Sequence, residues 1–93
     1  MNKIERGARA KSLLEDVIFK EVQSEIKADI VKKLEEVPVG DIDSQHELVL
    51  SLQMLKAHRT RLERWIDDAK IEQKSQEQKS WIEKQKQRFR PRV

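Results

Sequence analysis

An all-α fold is what this sequence predicts: an antiparallel helical hairpin that runs on into a basic tail. Three observations carry that expectation. Only two Gly and two Pro interrupt 93 residues, too few turn signals for a sheet. Apolar residues recur at spacings of three and four on either side of a single Val37-Pro38-Val39-Gly40 break, which is helical periodicity. Charge is also segregated: residues 1–73 hold 13 Lys/Arg against 15 Asp/Glu, and residues 74–93 hold 7 against 2. The division predicts a nearly neutral helical domain over 1–73 and a cationic tail over 74–93.

The first element expected is a short helix from Ile4 to Leu14, with Ile4, Ala8, Ala10 and Leu14 on its inner side. Gly7 weakens it by roughly 1 kcal/mol relative to Ala, so its start should fray. Asp16 is a candidate cap for a second helix over about 16–36, although the first two helices also read as one bent helix. In the second helix Ile18, Val22, Ile26, Ile30 and Leu34 recur every fourth residue, flanked by Phe19 and Val37. Such a ladder drifts about 40° per step on a helix of 3.6 residues per turn, so the stripe winds obliquely.

Pro38 pushes Val37 into extended conformations and ends helix two near Glu36. Ser44-Gln45-His46-Glu47 is a capping-box pattern and predicts the restart at Ser44. Helix three, about 44–71 or beyond, carries Leu48, Leu52, Leu55, Leu62, Ile66 and Ala69 as a coiled-coil-like seam, with Trp65 beside it and Arg59 at the one seam position that should be apolar. At ~1.5 Å per residue this helix is longer than helix two, so its far end lacks an intramolecular partner and invites oligomerisation. After Ile71 the stretch EQKSQEQKS keeps helix formers without apolar residues, and a helical extension competes there with disorder.

At 40% charged and 37% hydrophobic residues, the chain holds at most one modest domain near the lower size limit for a self-sufficient core. Absence of cysteine removes disulfides and thiolate metal sites and suits a reducing compartment or an encapsulated position. The longest apolar run, Val17-Ile18-Phe19, is far below the ~20 residues of a membrane span, and no signal-peptide block is visible at the N-terminus.

Candidate chemistry is sparse. Asp41, Asp43 and Gln45 alternate as in a calcium loop, but His46 and Leu52 stand where that loop needs Gly and Glu. His46 and His58 lie ~18 Å apart along one helix and cannot share a metal within one chain. With only Gly7 and Gly40 there is no phosphate-cradling loop, and no Cys or Tyr can serve as nucleophile or acid. No enzymatic activity, cofactor, metal or small-molecule substrate is therefore expected.

The tail is the motif that stands out. Lys84, Lys86, Arg88, Arg90 and Arg92 alternate with other residues, a spacing that favours an extended arm able to track phosphates, with Phe89 free to stack on a base or fill a pocket. Trp81 and Ile82 are costly to leave in solvent and read as protein-docking anchors. Arg59, Arg61 and Arg64 form a band that Glu63, Asp67 and Asp68 largely neutralise.

The order ARAKSLLED, FKEV, then VPVGDIDSQHELVLSLQMLKAHRTRLERWIDDAKI resembles a family of small helical proteins encoded by tailed bacteriophages and prophages. Ala8, Ala10, Leu13, Leu14, Asp16, Pro38, Asp41, Asp43, Leu48, Leu62, Ile66, Asp68, Lys70 and Ile71 fit that family's order over about residues 8–71. Val17 stands where the family commonly has Pro, Ala69 where it has Gly, and Gln45-His46-Glu47 replaces its Arg-Glu; the basic tail lies outside the likeness. The resemblance implies a phage origin and a non-enzymatic role, and it supplies no catalytic or binding residues. The expected function is a phage structural or assembly protein, located in the host cytoplasm during infection or in the virion. It would be homo-oligomeric through its helix seams, with the tail on an acidic partner such as phage DNA or a portal or capsid surface. The alternatives are a nucleic-acid-binding regulator and a small inhibitor docking on a host protein through Trp81, Ile82 and Phe89.

Overall fold

The computed structural model describes residues 1–88, and among them there are three α-helices and no strand: α1 Lys3–Glu15, α2 Val17–Glu36 and α3 Ile42–Arg88. The molecule is a rod of 83 × 27 × 17 Å.

Local chemistry explains each boundary. The α1 start is capped rather than frayed, because the Glu5 N–H donates to Asn2 Oδ1 at 2.8 Å. Asp16 closes α1 and opens α2: its backbone is extended (φ −65°, ψ 128°), its N–H reaches Leu13 O at 3.2 Å, and its Oδ1 accepts from the Phe19 N–H at 2.8 Å. A residue with extended backbone cannot continue a helical ladder, so α1 and α2 are two helices rather than one bent one.

α2 ends at Glu36, where Val37 takes the extended conformation (φ −69°, ψ 131°) that a following proline imposes. The restart falls earlier than Ser44. Asp41 is the residue that caps α3, its Oδ1 accepting from the Ser44 N–H at 3.2 Å and its carbonyl from the Gln45 N–H at 3.2 Å. A carboxylate was available three residues ahead of the Ser44 hydroxyl, and nothing between them resists helix. Gln45 then ties the turn to the new helix, Nε2 donating to the carbonyls of Pro38 and Val39 at 3.0 Å each.

α1 makes the most extensive contact with α3, and α2 a slighter one. The fully buried positions among the described residues are small: Gly7, Ala10 and Ala69. A Cβ on Gly7 would overlap the Ala69 side chain and come within 2.8 Å of the Trp65 carbonyl oxygen. Glycine is therefore what lets the two helix backbones approach, a role larger than its propensity cost. Ala8, expected on the inner side, is exposed, and Gly7 and Ala10 take that face.

In α2 no residue is fully buried. Its half-buried line is Phe19, Gln23, Ile30, Leu34 and Val37, whereas Ile18, Val22 and Ile26 are 65%, 45% and 41% exposed. The every-fourth ladder enters the contact only at Ile30 and Leu34, and Phe19 and Gln23 take the place of its first half.

Candidate functional site

Contacts descend α3 as they ascend α1 and α2. Gly7 meets Ala69; Leu13 shares a cleft with Leu62 and Trp65; Phe19 and Lys27 share a groove with Leu52 and Arg59. Leu48, Leu52, Leu55, Leu62, Trp65 and Ile66 are all half-buried in the single chain, and the stretch from Leu62 to Ala69, expected to lack an intramolecular partner, is covered by α1, which reaches past the end of α2. Arg59, at the polar seam position, has a 73% exposed side chain whose Nε pairs with Glu63 Oε1 at 3.2 Å. Trp65 carries the Arg6 guanidinium over its ring at 4.8 Å from the centroid, and Arg6 Nε is buried without a hydrogen-bond partner. That stacked arrangement is worth between about 0.5 and 2 kcal/mol depending on desolvation. Arg6 had no sequence signal, because Trp65 is its neighbour only through the fold.

With Gly7 against Ala69, the first residues of α1 run out near Ser75 of α3. Ser75 is half-buried, and beyond it every described residue except Gln85 is exposed. Residues 76–88 thus continue as bare helix for about 20 Å. Trp81 and Ile82 lie in this overhang, 64% and 46% exposed. Lys84, Lys86 and Arg88 are helical, not extended: the absence of Gly or Pro before residue 88 lets α3 propagate through them. Their alternation therefore spreads the cations around the helix. Phe89, Arg90 and Arg92 lie outside the described residues.

Beside the α1–α2 junction is a groove of about 540 Å³. Leu14, Phe19, Leu52 and Leu55 supply its apolar lining and Lys20, Lys27, Lys56 and Arg59 its charge, and among the described residues no carboxylate lines it. No contiguous sequence signal marks it, since its walls come from three helices. Asp41 sits at the opposite end of the rod from the overhang. Hydrogen bonds from Ser44, its hydroxyl first and its backbone N–H second, hold the Asp41 carboxyl below the usual aspartate range.

His46 and His58 are both exposed, and among the described residues no three His, Cys, Asp or Glu side chains gather as a metal site. No described helix is long and apolar enough to cross a membrane. Comparison of the chain with family models, with curated proteins and with solved structures returns no match.

Proposed function

We propose that the protein is a non-enzymatic assembly protein of phage type that works as an oligomer, in the host cytoplasm during infection or in the virion. Its α1–α2 arm folds back along α3 as a helical hairpin, and the basic end of α3, with the residues that follow, contacts an acidic partner, either DNA or a portal or capsid surface. The observation that carries this reading is the overhang: a bare helix presenting Trp81 and Ile82 among Lys79, Lys84, Lys86 and Arg88. A second support is the groove, whose lining charges are all positive. The phage assignment itself rests on the sequence resemblance over residues 8–71.

The test is binding to fluorescent duplex DNA across a salt series, comparing the full chain with one shortened after Lys74, with light scattering for mass. Tail-dependent binding whose log affinity falls by about 0.9 per neutralised phosphate and decade of salt makes DNA the partner. An oligomeric mass without DNA binding at low salt directs the tail to protein. A strict monomer that binds no DNA removes the proposal.

A further inference from the structure

The overhang and the α2 face share a property that neither shows alone. Ile18, Val22 and Ile26 are four residues apart and so form one exposed stripe. Every charged residue three or four positions from them is a carboxylate: Glu15 at the end of α1, and Glu21, Glu25 and Asp29 on α2. Around Trp81 and Ile82 the same neighbouring positions hold Lys79, Lys84 and Lys86 against the single carboxylate of Glu77. One chain therefore carries an acidic-bordered apolar stripe and a basic-bordered apolar stripe, both uncovered.

The two cannot meet within one molecule. Phe19 sits opposite His58 and Leu62, and Trp81 lies 19 residues beyond Leu62 on a continuous helix, about 28 Å away. Between two copies they can. A two-fold axis halfway along that stretch, at the level of Ile71, brings each overhang to the level of the partner's α2 along the rod.

We infer that the partner of the overhang is a second copy of this chain, with Trp81 and Ile82 of each protomer seated on the Ile18–Val22–Ile26 stripe of the other in a reciprocal, two-fold pairing. The apolar residues supply the affinity, and the Glu21, Glu25 and Asp29 border facing Lys79, Lys84 and Lys86 fixes the register. The inference rests on the oligomeric part of the proposed function and narrows its acidic partner to protein.

The chain has no cysteine, so introduced thiols report without background. Full-length Val22→Cys and Ile82→Cys variants, mixed and treated with a short bis-maleimide, should give a covalent heterodimer, while Ile82→Cys mixed with Val49→Cys on α3 should not. Light scattering on the untreated mixture gives the mass independently. The Glu21→Lys/Glu25→Lys/Asp29→Lys variant should lower the dimer fraction at least tenfold, and Lys79→Glu/Lys84→Glu/Lys86→Glu should restore it when the two are mixed. A dimeric mass without the Val22–Ile82 cross-link overturns this interface and leaves the oligomeric reading standing. A monomeric mass with no cross-link overturns both. Loss of dimer on addition of duplex DNA, with the overhang protected by the DNA, overturns the protein assignment in favour of nucleic acid.

Discussion

The two contacts that α3 makes are built on opposite principles. Against α1 it packs small residues, Gly7, Ala10 and Ala69, so the backbones come close and the contact is the tightest in the molecule. Against α2 it meets larger side chains, Phe19, Ile30 and Leu34, yet none of α2 is fully buried. Apolar content did not decide which helix is better seated. What decided it is the match between residue period and helix axis: Gly7 and Ala10 let the backbones approach closely, while an every-fourth ladder winds around its helix and meets α3 only at Ile30 and Leu34.

The largest way to break this asymmetry is Gly7→Leu. Overpacking a site where a Cβ already overlaps Ala69 should cost about 3 kcal/mol. Denaturant unfolding followed by helical circular dichroism measures it, and a loss under 1 kcal/mol would mean that the close approach is not what joins α1 to α3. Adjacent residues of α2 sharpen the comparison next. Phe19→Ala should destabilise by about 2 kcal/mol, since Phe19 lines both clefts but is only half-buried, whereas Ile18→Ala should stay within about 0.5 kcal/mol in dilute solution. Equal costs would show that the stripe, not the alternating line, faces α3.

Smaller still, Arg6→Met should change stability by no more than about 1 kcal/mol, because the stacking on Trp65 that is lost is offset by relief of the buried, unpartnered Nε. A shift in Trp65 fluorescence on that substitution checks that the contact exists in solution. The smallest expected effect belongs to Asp41. Its folded-state carboxyl titrates below the unfolded value, so its capping contribution is complete above the unfolded aspartate pKa of ~3.9 and is lost as pH falls through the lower folded value. Carbon-detected NMR titration should find Asp41 titrating below the unfolded value. Asp41→Asn should keep α3 capped while removing its pH dependence.

Much of the fold is legible in the sequence. Asp16 as a cap and the end of α2 at Glu36 follow from local rules of capping and proline geometry, and the structure places each there; the period from Leu48 to Ile66 marks residues that are half-buried within the single chain. The capping-box pattern points to Ser44 as the start of α3, whereas Asp41 caps it, because two capping residues compete and only hydrogen-bond geometry chooses between them. Gly7 was legible as a helix weakener but not as the point of closest approach, because that role depends on a residue 62 positions away. The candidate interaction surface was legible in part. Trp81 and Ile82 were marked by their isolation among charges, whereas the groove of Leu14, Phe19, Leu52 and Leu55 exists only once three helices are assembled.

By itself, then, the sequence determined what is local: helix as the only secondary structure among the described residues, the break at Pro38, and the placement of positive charge at one end. The tertiary structure decided what depends on which faces meet. It set Gly7 on Ala69, turned Ile18 and Val22 outward, stacked Arg6 on Trp65, and left residues 76–88 as uncovered helix. Caps and turns are settled by bonds between residues a few positions apart. Helix contacts depend on side-chain volumes far apart in the chain, which no local pattern contains.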